Sequence, residues 1–513
     1  MSRTAARIMP FPKLNGPRLR FRHISGPSCL ASLLLLTGCI VGPKYHTPEM
    51  ALPANWTEHA ATPDELAATQ AEMRDWWASF HDPVLTLLVN RAISGNYDLA
   101  IAGQRLLAAR GLRDQIAGGL YPQIDVTPAA GIQRFSTTLE YPPLTGANSD
   151  NRLWQYGLTA SWELDVFGRI RHSIEAQQAA VDAGIEQRRS TLLALLSELS
   201  TDYVTLRASQ LQLQIADRNI QAASDALALT NKVFTQGLGT TLQVAQAQGE
   251  LETEQATRQP LQTRIAQLAH AISVLTGQMP GTFEGLLERP APLPSVPGLP
   301  VALPSMVIAN RPDIRQAERQ YAQATARIGV AVAQLYPSFV LPLSFTPQSS
   351  MIHELFTASS LAWSLVLQVS APLYHGGRLS AEVREAHANA EAARLQYEQT
   401  VLRSFQEVED RLVAYRNDKI RSATLHRAAQ SNALALDRAR RLYGAGLSGF
   451  LDVLTSERAT YTAENLEAVG ELARLQDAIG LFTAIGAGWQ GVPLTATTLP
   501  IDEKTQHRMA AGH

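Results

Sequence analysis

The strongest constraint on this chain is that it repeats itself once, at a spacing near 200 residues. Gly168-Arg169 recurs as Gly377-Arg378, Phe234-Thr-Gln-Gly237-Leu238 as Tyr443-Gly-Ala-Gly446-Leu447, and Leu242-Gln-Val244 as Leu451-Asp-Val453, all at one offset of 209 residues. Leu120-Tyr121-Pro122 recurs as Leu335-Tyr336-Pro337 at an offset of 215, so the early part of the first half is six residues longer. The excess falls in the polar, proline-bearing stretch 141–150, which predicts a longer hairpin loop. A period this long excludes a short-repeat solenoid and implies two copies of one large unit.

Each unit opens with a strand pattern. After the first Tyr-Pro, Ile124, Val126, Ala130 and Ile132 alternate with Gln123, Asp125, Thr127 and Gln133. Trp154, Tyr156, Leu158, Ala160, Trp162, Leu164 and Val166 then alternate with Gln155, Gly157, Thr159, Ser161, Glu163 and Asp165. A run of strict period two that long is not a helix stripe. Phe339, Leu341, Leu343 and Phe345, followed by Leu361, Trp363, Leu365, Leu367 and Val369, repeat it in the second half. At about 3.3 Å per residue the longest run reaches roughly 40 Å, enough to cross a bilayer at a tilt. Trp154, Trp162 and Trp363 stand where an interfacial girdle would need them. Four strands close around nothing, and open edges are not tolerated in lipid, so copies of the chain must complete the barrel. A dimer would supply eight strands and a trimer twelve.

Helices follow the strands. Residues 169–236 contain no Pro and one Gly, and residues 378–443 contain neither, so each predicts a helix close to 100 Å long. Recurring stripes such as Leu192, Leu195, Leu196, Leu199, Tyr203 and Leu206 predict that these helices lie side by side. Tight glycine turns lead into returning helices at 240–276 and 450–485, and shorter helices at 84–118 and 305–335 feed the hairpins at 121–167 and 336–374. The first repeat is thus 81–278 and the second 305–488, joined by the proline-rich stretch 279–304, which reads as an extended linker. An extended segment, 39–80, precedes them, and a polar tail, 489–513, follows.

Residues 1–38 stand apart. Six cations and no acid precede the apolar run Cys29–Leu36, too short to span a bilayer, and Leu36-Thr37-Gly38-Cys39 follows directly. This resembles a signal peptide ending in the lipobox of bacterial lipoproteins, with cleavage before Cys39 and a lipid on its thiol. Translation starts at Met1 or Met9. Ile40, in place of the Asp typical of lipoproteins retained in the inner membrane, points to the outer one. Beyond the leader the chain carries 38 cations against 46 acids, a net charge of −8. That balance argues against a nucleic-acid partner. With two Cys in all, a disulfide scaffold and a cysteine zinc site are excluded. No later stretch reaches about 18 consecutive apolar residues, so any crossing is by strands.

The order of motifs resembles the outer membrane factors of the TolC/OprM superfamily, in the lipoprotein, NodT-like branch of efflux channels. The resemblance covers nearly all of the chain beyond the leader. It rests on Gly38-Cys39-Ile-Val-Gly-Pro-Lys-Tyr45, Trp76-Trp77-Ala-Ser-Phe80 with Asp82-Pro83, Asn96-Tyr-Asp-Leu99, the two Tyr-Pro entries, Asn310-Arg311-Pro312-Asp313-Ile314 with Ala317-Glu318, and the paired glycine turns. It implies an α+β membrane protein built from two internal repeats: a homotrimer whose twelve-stranded β-barrel, four strands per chain, continues into a long periplasmic α-helical barrel. It further implies no enzymatic activity, no cofactor beyond the lipid on Cys39, and two partners, a periplasmic adaptor and an inner-membrane proton-driven transporter of the RND type.

The same resemblance assigns site residues. Tyr443 falls on a gating tyrosine and Asp452 on an acidic aperture position at the periplasmic mouth. Three Asp452 would form a repulsive, cation-favouring ring. Ser448 departs from a basic gating residue found in some members, and Gln243 from a frequent Asp, which implies a lock with fewer salt bridges. An Asp in the first turn of a helix is also what the helix dipole alone favours. Gly237, Gly239, Gly446 and Gly449 supply backbone freedom at the reversals, and Leu238 and Leu447 are candidate adaptor contacts.

Other motifs carry no chemistry. Gly444-Ala-Gly446-Leu-Ser-Gly449 matches a dinucleotide fingerprint but follows a long helix where a strand is required. Arg311-Pro312-Asp313 reads as a helix start, and His353-Glu354 lacks the second His of a zinc site. A type I protein secretion channel fits the same architecture with different cargo. A lipid-anchored coiled-coil spacer of the envelope explains Cys39 and the helices but leaves the alternating strands idle, and a periplasmic enzyme has no supporting motif.

Overall fold

The computed structural model describes residues 40–57, 62, 66–67, 69, 72–133, 151–298 and 300–493. Cys39, the leader, the loop 141–150 and the tail from 494 lie outside the described residues. A short 3-10 turn (Trp76–Phe80) leads into α1 (Pro83–Gly95), α2 (Tyr97–Gly118), β1 (Gln123–Gln133), β2 (Asn151–Leu164), α3 (Arg169–Thr235) and α4 (Thr241–Leu275). A single turn, α5 (Glu284–Leu287), separates this from α6 (Pro304–Asn310), α7 (Pro312–Ala333), the strands β3 (Ser338–Phe345), β4 (Gln348–Ser349), β5 (Trp363–Leu365) and β6 (Gln368–Ser370), then α8 (Arg378–Gly444) and α9 (Phe450–Ala484). No helix among the described residues is long and apolar enough to cross a membrane.

The two feeder helices are each broken, where the sequence pattern suggested single helices over 84–118 and 305–335. The breaks fall at Asn96 and Arg311, which are 215 residues apart and share an extended backbone (ψ 130° and 119°). Asn96 turns its side-chain oxygen to the Leu99 N–H at 2.9 Å and so starts α2 afresh. Arg311 precedes Pro312, whose ring disfavours helical geometry in the residue before it. Its guanidinium then fills the kink, donating to Glu407 at 2.7 Å, to Asp313 at 2.8 Å and to the Ala484 carbonyl at 2.8 Å.

The core sits around these breaks. Trp76 stacks on Phe482 (5.2 Å, 15°) beside buried Phe80, Leu88, Leu196, Leu199, Leu206 and Ile272. Tyr203 reaches Asp82, the N-cap of α1, at 2.7 Å. The stretch 279–304 is no extended linker. Phe283, Leu287, Val301 and Ala302 are buried, and the Arg289 carbonyl accepts from Arg207 at 2.8 Å while the Pro297 carbonyl accepts from Tyr415 at 3.2 Å. Its prolines remove donors, and buried side chains of α3 and α8 supply partners for the carbonyls that remain. The described start of the C-terminal tail is also packed, since the Trp489 ring meets the Arg189 and Arg315 guanidiniums (4.1 and 5.4 Å) and its N–H donates to the Asn310 carbonyl at 2.9 Å.

The strands form one antiparallel sheet in the order β1-β2-β3-β5, with β4 on β2 and β6 on β3. The second hairpin is more fragmented than its alternation suggested, although its register does not change. β5 and β6 face β3 in one frame (Leu343 opposite Leu365, Phe339 opposite Val369). Between them Val366 donates to the Pro342 carbonyl at 3.2 Å, but Pro342 has no N–H to return. Pro347 separates β3 from β4 in the same way, accepting from Tyr156 at 3.3 Å.

Candidate functional site

The register decides what this sheet can do. Ile124 faces Ala160 and Val126 faces Leu158 across β1–β2; Leu158 faces Phe345, Ala160 faces Leu343, and Trp162 faces Leu341 across β2–β3; Phe345 faces Trp363 beyond. Every apolar half-strand therefore falls on one side. Gln123, Asp125, Thr127, Thr159, Ser161, Glu163, Ser344, Ser364 and Gln368 fall on the other. A slip of one residue in any pair would have mixed the two faces. Ile124, Val126, Ile132, Trp363, Leu365 and Val369 are each more than half exposed. Among the described residues both outer edges, β1 on one side and β5 with β6 on the other, are unpaired. A sheet with a largely apolar exposed face and two open edges is not stable in that form in water, and both features call for covering from outside the described residues.

The helical reversals lie at the far end of the long helices. In the first, Gly237 (φ +76°) donates to the Phe234 carbonyl at 2.9 Å and Leu238 to the Val233 carbonyl at 3.1 Å. In the second, Gly446 (φ +72°) donates to the Tyr443 carbonyl at 2.9 Å and Leu447 to the Leu442 carbonyl at 2.9 Å. Both are Schellman closures that require a left-handed residue, hence glycine. Leu238 and Leu447 point outward, 79% and 75% exposed. Gly239 and Gly449 are the residues that lead from each closure to the returning helix.

Asp452 is exposed at the third position of α9, where its carboxylate accepts the Gly449 N–H at 3.2 Å. Tyr443 lies seven residues before Phe450 and meets its ring at 5.8 Å. With Ala247, Leu227 and Leu454 the two rings form a small cluster that binds the second reversal to the first hairpin. Tyr443 and Phe450 also border a cavity of about 170 Å³ with Ala222, Ala226, Leu229 and Glu457. The gate assignment thus joins one residue on a packed inner surface, Tyr443, and one on the outer surface of the same turn, Asp452.

Charges beside this turn were missed by sequence reasoning. Glu457 is 1% exposed and accepts Arg440 at 2.8 Å; burial pushes its carboxyl upward against the pull of that guanidinium. Arg458 on α9 pairs with the buried Glu250 on α4, tying one hairpin to the other. The 209-residue offset marks one pair of them as special to the second half, because Arg440 and Glu457 stand opposite the neutral Asn231 and Gln248, but it does not show that Glu457 is buried.

At the junction of sheet and helices, the segment following Cys39 is tied down. Val41 donates to the Phe167 carbonyl at 3.3 Å, and His172, 5% exposed, bridges the Val41 carbonyl (2.9 Å) and Glu175 (3.0 Å). Tyr45 donates to Glu318 at 2.7 Å and packs edge-on against Tyr321. The strap holds Ile40 beside Gly168, where strand gives way to helix. Cys39 itself, the lipid-attachment candidate, lies outside the described residues. Among those residues no group of His, Cys, Asp and Glu is arranged to hold a metal ion.

Comparison with known proteins gives a consistent result. The profile of the family described as outer membrane efflux protein matches residues 88–278 and 303–487. The cation efflux system protein CusC of Escherichia coli O6:H1 is 30% identical over 466 residues, 90% of this chain and 98% of its own. Nodulation protein T of Rhizobium leguminosarum bv. trifolii is 31% identical over 463 residues, 90% of this chain and 96% of its own. The solved structure of the outer-membrane channel OprN superposes with a TM-score of 0.81 at 31% identity, covering 88% of this chain and 100% of that one.

Proposed function

The chain belongs to the outer membrane efflux protein family, and we propose that three copies close into one passive conduit across the outer membrane and the periplasm. The observation that carries this reading is the sheet, six strands arranged in four rows, with one apolar face and two edges unpaired among the described residues. Joining β1 of each copy to β5 and β6 of the next gives twelve strands around a lumen lined by the polar faces. Repeat equivalence supports the ring. Within the chain α7 packs against both α3 and α8, whereas α2, its counterpart, packs chiefly against α3. Tyr97, Ile101, Leu107 and Leu112 of α2 are left exposed, so the partner missing from α2 is α8 of a neighbouring copy.

In this conduit no bond is made or broken. An inner-membrane, proton-driven transporter of the RND type supplies the energy, and a periplasmic adaptor meets the helical turns at Gly237, Leu238, Gly239, Gly446, Leu447 and Gly449. Tyr443 and Asp452 gate the periplasmic mouth. Three Asp452 carboxylates around an aperture repel one another and favour cationic cargo. The lipid on Cys39 anchors each copy beside the barrel's inner rim, where the strap already holds the chain. The cargo is drugs or other small toxic compounds, a class in keeping with the cation efflux named for the CusC relative.

The test is a comparison of unheated and heated gel mobility of the protein in mild detergent. A heat-labile species of three chains, with mixed helix and strand circular dichroism, is expected. A monomer with a purely helical spectrum would overturn the reading.

A further inference from the structure

The segment that closes the second hairpin, residues 350–361, exposes four large apolar side chains: Met351 (51%), Ile352 (56%), Phe356 (77%) and, at its end, Leu361 (40%). It is a built element, with one-turn helices at Ile352–Glu354 and Ala358–Ser360. The Ser360 hydroxyl donates to the Leu355 carbonyl at 2.7 Å, and the Ser349 hydroxyl donates to Glu354 at 3.2 Å. Leu355 and Ser360 are buried. Among residues 350–361 only His353 and Glu354 are ionisable.

Where the segment folds is settled by one ring contact. Phe356 stacks on Tyr156 at 5.8 Å and 28°. Tyr156 shares the side of β2 that carries Trp154, Leu158 and Trp162, the apolar face. The segment therefore turns down over that face instead of crossing the polar one. It lies at the end of the sheet opposite the helices, beside Trp363, which is itself exposed (68%).

We propose that residues 350–361 form a lipid-contacting collar: Met351, Ile352 and Phe356 sit in the outer leaflet of the outer membrane, at the boundary of headgroups and acyl chains. Continuity with the apolar face names the occupant. In water these three side chains would stay hydrated. In the leaflet they extend the aromatic girdle of Tyr156, Trp154 and Trp363. The polar mouth is left uncovered by this segment. The inference rests on the lipid-embedded reading of the sheet.

The test uses the full-length trimer in phosphatidylethanolamine–phosphatidylglycerol vesicles, with a nitroxide on Phe356→Cys and, in separate samples, on Leu158→Cys (apolar face) and Thr159→Cys (polar face). The unsubstituted protein serves as the labelling blank. Spin relaxation by oxygen, which partitions into lipid, is compared with relaxation by a water-soluble nickel chelate. The expected result is that positions 356 and 158 lose nickel relaxation and gain oxygen relaxation, while 159 does the reverse. Nickel access at 356 with lipid access at 158 overturns the collar alone. Nickel access at both overturns the embedded sheet as well. If Phe356→Cys does not give the heat-labile trimer, Ile352→Cys carries the same measurement.

Discussion

At 236–240 and again at 445–449 the chain makes the same reversal, with a left-handed glycine and the same pair of closing hydrogen bonds. What the two turns touch differs. Phe234 and Thr241 of the first are exposed, whereas their counterparts Tyr443 and Phe450 pack together against Ala247 and Leu227 of the first hairpin. The first returning helix contains Pro260, where the second has Val469. The first turn is capped by Thr240 and Gln243 in a reciprocal box, while the second has only the Asp452 carboxylate on the Gly449 N–H. Backbone closure is thus duplicated, and lateral attachment is not. The second turn leans on its own chain; the first is left exposed.

The largest expected effect comes from removing that attachment. Phe450→Ala should cost about 3 kcal/mol locally, seen as faster amide exchange over 443–454, while Thr241→Ala at the equivalent place should stay within about 0.5 kcal/mol. Equal exchange in the two variants would erase the distinction. Arg440→Met should follow, at about 2 kcal/mol, because it leaves the Glu457 carboxylate buried without its cation. Asn231→Ala, its counterpart, should be silent in the same thermal melts.

The halves should also differ in pH response. Burial first, and Asp418 beside it, push the Asp477 carboxyl up to about 6, and the matching position in the first repeat is Leu268. An acid whose folded pKa lies above its unfolded value of about 3.9 binds its proton more tightly when folded. Its contribution is therefore fully present below about pH 4 and is lost as pH rises through 6. Asp477→Asn should remove about 2 kcal/mol of that decline between pH 4 and 7. Parallel melting curves for the two proteins would rule Asp477 out as the source.

The smallest effect concerns the caps. Thr240→Ala should cost about 1 kcal/mol at the first turn, and Gly449→Ser should add about 0.3 kcal/mol at the second. Helix melting by circular dichroism, compared with amide exchange at each turn, would detect both.

Much of this was legible in the residues. Strict alternation from Trp154 to Leu164 and the proline-free runs beyond Gly168 and Gly377 announced strands and long helices, because both patterns are local. The breaks at Asn96 and Arg311 were less visible, since apolar spacing continues across them and only a cap and a pre-proline backbone interrupt it. The packed stretch 279–304 was misread, because seven prolines look alike whether their carbonyls face water or the Arg207 and Tyr415 side chains. At the candidate site, Gly237 and Gly446 could be found by comparing the halves. The burial of Phe450, Glu457 and Glu250 could not, because it depends on which hairpin lies against which.

By itself, the order of residues determined the element types, the duplication and the glycine reversals, all set by interactions within a few positions along the chain. Only the tertiary structure decided the strand frame that gathers Ile124, Leu158, Leu343 and Leu365 on one side, the segment 350–361 folded onto that side, and the unequal packing of the two turns. Those outcomes join groups dozens to hundreds of residues apart, where pleat, proline gaps and shape select one alignment from several that local pattern allows equally.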